Sequence, residues 1–367
     1  MKRFFVRINM VKSCLWVITF FVAVLLNNSA QAQFAKYTNT YLQLGYSAQY
    51  ESLGRSSIAL PYTFGQERAN PASLHQLENR FVGGGSFSSI FTGMGTLMYA
   101  GAAMQIDSLS GGSVSLLRFG VDGIQNTLDW RDEQGKDDYG RIRRFSIADY
   151  ALFLAYGRAL PWSGFAVGGT AKILYRDEGG FATGIGLGVD LAANYRRDEW
   201  QFSAVARDLT STWVLWFIDA KKLSRVRDGK ELNRTPTRAA EGTAPTLDLA
   251  VSYSQSFRKT IYWGATVCFS EHFDGREYAP LHLSSITFSP ALGVWGSYRN
   301  LVFLRLGAHQ LQEIPLTRTT QALSFTPTAG IGLHGWGIRI DYAFSAPLAT
   351  ISARINHLIS LSYSFGN

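Results

Sequence analysis

Near the end of the chain, Trp336, Ile338, Ile340, Tyr342 and Phe344 alternate with Gly337, Arg339, Asp341, Ala343 and Ser345. A second run follows, in which Ile355, His357, Ile359, Leu361, Tyr363 and Phe365 alternate with Asn356, Leu358, Ser360, Ser362 and Ser364. A period of two predicts β-strands, because successive side chains leave the backbone on opposite sides. One face of each strand is large and apolar and the other small or charged. That division belongs to a transmembrane β-barrel, with lipid outside and a polar lumen inside.

The same pattern recurs upstream. Ile185, Leu187, Val189 and Leu191 alternate with Gly184, Gly186, Gly188 and Asp190, and Leu247, Leu249 and Val251 with Asp248, Ala250 and Ser252. From Phe81 onward the pattern predicts fourteen strands, the last ending at Phe365. Short connections, such as Arg197-Asp198 and Arg258-Lys259, tend to alternate with longer ones, the longest running from Leu209 to Pro245. An even-stranded barrel with both termini on one side of the membrane produces that parity. An arginine on the lipid face near the midplane costs roughly 2–4 kcal/mol, so Asp190, Asp248, Arg339 and Asp341 are assigned to the lumen. The fold class is therefore all-β: an antiparallel transmembrane barrel over 81–367, preceded at 33–80 by a non-barrel segment able to plug it. A secreted β-sandwich also alternates, but its solvent face would carry Lys, Glu and Thr where this chain has Gly, Ala and Ser.

Residues 1–32 read as a cleaved signal peptide. Lys2, Arg3, Arg7 and Lys12 form a basic region, Leu15 to Leu26 an apolar run, and Ala30-Gln31-Ala32 a small-residue cleavage site. Without the leader's four basic residues the formal charge falls from +8 to +4, because 31 basic residues then face 27 acidic ones. No long Lys/Arg run remains to hold nucleic acid. Charged residues make up 17% of the chain and aromatics 14%; soluble domains average roughly 25% charged. Cys268 is the one cysteine beyond the leader, so the mature chain forms no internal disulfide.

No catalytic constellation stands out, and the six histidines lack metal-ligand spacing. Neither enzyme activity, cofactor nor metal is expected. Gly83-Gly84-Gly85 lacks the Lys and helix of a phosphate loop and reads as a strand kink. Trp213-Val214-Leu215-Trp216-Phe217-Ile218, followed by Lys221, Lys222, Arg225 and Arg227, has two readings. Trp213, Trp216 and Phe217 could form a partner-binding loop, since Trp and Arg concentrate at binding hot spots. The preferred alternative is that strand seven continues into the outer aromatic girdle.

Asn70-Pro71-Ala72, following Leu44-Gly45 and Leu53-Gly54, joins FSIADYALFLAYGRAL (145–160), FAVGGTAKILYRDEGGFATGIGLGVDLAANY (165–195), WQFSAVARDL (200–209), NLVFLRLGA (300–308) and HLISLSYSF (357–365). In that order these blocks resemble the PorV/PorQ family of outer-membrane proteins, itself similar to fatty-acid-transporter barrels. The resemblance implies residence in outer-membrane lipid, type IX protein secretion or sorting, and binding of translocon or cargo proteins through outer loops. No enzymatic residue carries over. The alternative function is an outer-membrane transporter or channel for small hydrophobic molecules.

Overall fold

The computed structural model describes residues 38–127, 130, 136–223, 226–227, 230–231, 237–258, 260–273, 280–283, 286–315, 321–348 and 355–366. The leader expected at 1–32, and Arg225 of the basic stretch, lie outside them. The wall comprises β1 (Phe81–Ile90), β2 (Gly95–Asp107), β3 (Ser110–Asn126), β4 (Arg143–Ala159), β5 (Phe165–Asp177) and β6 (Ala182–Arg197). It continues through β7 (Trp200–Arg207), β8 (Thr212–Ile218), β9 (Arg238–Thr243), β10 (Thr246–Phe257), β11 (Ile261–His272) and β12 (Ile286–Tyr298). The last four are β13 (Val302–Pro315), β14 (Gln321–Gly335), β15 (Ile338–Ser345) and β16 (Asn356–Phe365). Each strand pairs antiparallel with its neighbours, and β16 returns to β1 from Phe81↔Phe365 to Ser89↔His357. β7 and β8 form one stave, because both pair in succession along β6, and β9 and β10 form the next, because β9 pairs with β8 and β10 with β7. The result is a closed barrel of fourteen staves.

The composite seventh stave departs from the expected long loop. β7 stops at Arg207, Asp208 and Ser211 take positive φ, and β8 resumes at Thr212. On β6 the pairing passes from Leu191↔Ala206 to Leu187↔Trp213, so the seventh stave carries extra residues in a wide bulge. An odd number of added residues reverses which side chains face inward. Gln201, Ser203 and Val205 are buried below the bulge, and Val214 and Trp216 above it. The strand continues as the preferred reading of Trp213 to Ile218 has it, but the reversal turns Trp216 inward instead of into the outer girdle.

Trp336 also departs from its strand assignment. β14 and β15 pair up to Gly335↔Ile338, leaving Trp336 and Gly337 as a two-residue turn with φ of 52° and 79°. Two positive φ values suit the right-handed twist of a hairpin. Its neighbours at the same end are the tight links Ser108-Leu109, Asp198-Glu199 and Arg299 to Leu301, while β3, β8 and β11 end at the other, at Asn126, Ile218 and His272.

Outward side chains form an apolar belt that includes Leu187, Leu304, Leu306 and Leu361, with Leu187 and Leu304 each 63% exposed. Water does not favour such a surface and hydrocarbon does. The inward faces differ from the small, polar set expected throughout. On the early staves Leu97, Tyr99, Leu117, Phe153, Leu174 and Trp216 are large, buried and packed on Tyr46, Ile58, Leu74 and Leu77 of the N-terminal segment. That segment therefore brings its own apolar partners into the barrel. Arginine in place of Leu187 is expected to lower barrel stability by about 2–4 kcal/mol, read from the denaturant midpoint for unfolding from lipid vesicles.

Candidate functional site

The N-terminal segment contains two short α-helices, α1 (Ala48–Ser52) and α2 (Gln66–Ala69), and 3-10 turns at Thr40–Gln43, Ser57–Ala59 and Pro71–Gln76. Helices this short are marginal alone, so the wall must support them. Small polar side chains of the wall supply partners for their backbone: Ser360 accepts from Ala48 N at 2.9 Å, Thr328 accepts from Gly54 N at 3.1 Å, and Thr266 donates to Ser56 O at 2.8 Å. Ser252 likewise donates to Ala59 O at 2.5 Å. The small inward residues thus line a docked peptide.

Two glycine troughs let the segment approach closely. Gly111, Gly157 and Gly168 lie side by side on β3, β4 and β5. A Cβ on Gly157 would sit 2.2 Å from Pro71 O, and one on Gly168 2.4 Å from Ala72 N. Across the barrel, a Cβ on Gly307 would lie 2.3 Å from Gly54 N, and one on Gly293 2.6 Å from Leu53 O. Asn70-Pro71-Ala72 and Leu53-Gly54 are therefore places where the backbone of the segment lies directly against that of the wall. Asn70 is fully buried: its Oδ1 accepts from Ala72 N at 3.0 Å, while its Nδ2 donates to Ile58 O and Asn194 Oδ1, each at 2.7 Å. Pro71 opens the turn where no backbone N–H is needed.

The charged residues pair across staves that are adjacent or separated by one. Asp190 meets Lys172 at 2.7 Å, and Lys172 also bonds Asp208, which the bulge turns inward to accept from Thr212 at 2.5 Å. Asp248 meets Arg207 at 2.6 Å, and Asp341 meets Arg305 at 2.7 Å and His334 at 3.1 Å. Arg339 is half-buried on the same face of β15 as Asp341. The four charges named from sequence are thus spread over several staves and form no single site. Their cationic partners were missed, although the lipid-face cost that placed the aspartates applies equally to Lys172, Arg207 and Arg305. In the plug, burial alone would raise Glu51, but Arg55 and His309 outweigh it and hold its carboxyl below the usual range. Glu67 is raised by burial, against the opposing pull of the hydrogen bond from Tyr99.

Trp213, Trp216 and Phe217 lie in β8, hydrogen-bonded to β6 and β9, and not in a loop. Trp213 and Phe217 face outward, whereas Trp216 turns inward, where the Arg176 guanidinium lies 4.9 Å from its ring centre. They share no surface.

A chamber of about 180 Å³ lies between the plug and the wall. The plug contributes Leu42, Gln43, Tyr50, Arg55 and Arg68, and the wall Phe153, Lys172, Asp190, Arg207, Asp248, His272, Pro290 and His309 among others. Among the described residues no cluster of His, Cys, Asp and Glu could hold a metal ion.

No family model and no curated protein matches the chain. Solved structures do. The toluene transporter TodX of Pseudomonas putida aligns with a TM-score of 0.57 at 14% identity, over 88% of this chain and 99% of that one. The toluene transporter TbuX of Ralstonia pickettii gives 0.55 at 13% identity, over 88% and 98%. A FadL homologue of Pseudomonas aeruginosa gives 0.52 at 10% identity, over 87% and 98%. The fold is theirs. None of the three is described as a secretion protein, and the PorV/PorQ resemblance rests on the sequence blocks alone.

Substituting valine for Gly157 is expected to unseat the plug at a cost of about 1–3 kcal/mol, the usual penalty for overpacking. Protease sensitivity of residues 38–80 in the folded barrel reads this directly. The Gly85→Ala control meets nothing closer than Tyr99 O at 3.5 Å and should leave sensitivity unchanged.

Proposed function

We propose that this chain is an outer-membrane transporter barrel that admits small hydrophobic or amphipathic molecules to the chamber between plug and wall. The chamber carries the reading: about 180 Å³ of space enclosed within a lipid-embedded barrel. A cavity of roughly 150 Å³ is enough to hold a benzene ring. Likeness to barrels described as toluene transporters and as a monoaromatic hydrocarbon channel supports the same substrate scale. The lining mixes Leu42, Phe153, Pro290 and Ala291 with paired charges, which favours molecules with a polar group over pure hydrocarbons. Export by the leader and residence in the outer membrane belong to the same proposal.

Participation in type IX secretion, with translocon or cargo proteins as partners, has the support of the sequence resemblance only. The aromatic residues first considered for such contacts belong to the wall. Uptake of labelled single-ring compounds by cells with and without the protein tests the transporter reading, with slower uptake expected in its absence. Equal uptake would overturn it, and recovery of a large protein assembly in mild detergent would then favour the secretion role.

A further inference from the structure

Four cations line the chamber, and three already have carboxylates. Arg55 pairs with Glu51 at 2.8 Å, Lys172 with Asp190 and Asp208, and Arg207 with Asp248. Arg68 differs. It is 8% exposed, and no carboxylate lies within 4 Å of it among the described residues. One Nη donates to Leu42 O, while Nε is buried without a partner. The guanidinium carbon lies over two rings, 4.2 Å from the centre of Tyr46 and 5.0 Å from that of Phe153.

Burying a cation without a carboxylate beside it is costly, and aromatic faces offset only part of that cost. With aromatic faces as neighbours and no carboxylate at hand, Arg68 keeps an unpartnered Nε donor, and the planar N–H fork of arginine suits bidentate recognition of a carboxylate. Arg207 keeps α2 in place by donating to Arg68 O at 3.3 Å and Ala69 O at 2.8 Å. Arg68 is therefore positioned by its backbone as well as by its side chain.

We infer that the chamber binds a small organic anion, with Arg68 anchoring its carboxylate and Leu42, Phe153 and Pro290 receiving a short aliphatic or one-ring body. The volume of about 180 Å³ admits one ring bearing a carboxylate. This inference rests on the transporter reading and narrows its substrate class. Binding of the anion gives Arg68 the direct carboxylate partner that it lacks, so the neutral analogue of the same shape should bind more weakly.

The test is calorimetry on the full-length protein in detergent micelles, titrated with benzoate, with isosteric uncharged benzamide and with benzyl alcohol. Benzoate should bind saturably, and benzamide on the order of tenfold more weakly, the equivalent of losing about 1.4 kcal/mol. Arg68→Gln should remove the preference, and Arg68→Lys, which keeps the charge without the fork, should retain part of it. Unchanged protease resistance of residues 38–80 shows that the plug of each variant is seated. If a variant fails that control, the comparison of benzoate with benzamide on the unaltered protein decides the matter. Equal binding of the three compounds would overturn the anion site and leave the transporter reading intact. Absence of benzoate binding, or benzoate affinity unchanged in Arg68→Gln, would overturn the inference as well. The transporter reading itself falls only with the uptake experiment.

Discussion

Every backbone N–H and C=O that enters hydrocarbon must find a partner within the protein, since lipid offers none. A strand satisfies this only when both of its edges are paired, so the sheet has to close. In this chain closure depends on the return of β16 to β1, where Phe81↔Phe365 and Ser89↔His357 join the ends of the barrel. The alternation of side chains follows from it. Once the ring is shut, one face of every strand meets lipid and the other an enclosed volume, and the charged residues have only the inner face to occupy.

Closure also creates an interior that has to be filled. The N-terminal segment fills it by two kinds of contact. On the early staves it packs apolar groups against Tyr99, Leu117 and Phe153, and elsewhere it offers its backbone to Ser252, Thr266, Thr328 and Ser360. The glycine troughs are what permit the second kind, because a methyl group on Gly157 or Gly307 would overlap the plug backbone. Where plug and wall separate, the chamber remains, and its cations are matched by carboxylates of the wall or, for Arg55, of the plug, except at Arg68. Ion pairs of this sort add little net stability, but breaking one strands a buried charge. They therefore keep the inner wall rigid around the chamber.

Much of the wall was legible because lipid imposes a simple code. A large apolar residue at every second position, and an aspartate such as Asp190 or Asp341 between them, is enough to give strand and orientation. The code failed at two places for a common reason, since each breaks the period. The bulge at Asp208 to Ser211 reversed the phase within the seventh stave, so Trp216, read with the outer aromatic residues, faces inward. The turn at Trp336-Gly337 kept the count while leaving the sheet, so a 98% exposed tryptophan read as part of a strand.

By itself, then, the sequence determined the strand class, the number of staves, the facing of the charged residues and the existence of a segment outside the wall. These follow from local period and from the cost of placing charge in lipid, both carried by neighbouring residues. Which cation answers Asp190, how Asn70-Pro71-Ala72 meets Gly157 and Gly168, and why Arg68 is left without a carboxylate were decided only by the tertiary structure. Those contacts join residues tens to hundreds of positions apart. Their pairing is set by stave register and by the path of the plug through the closed ring, which no local period records.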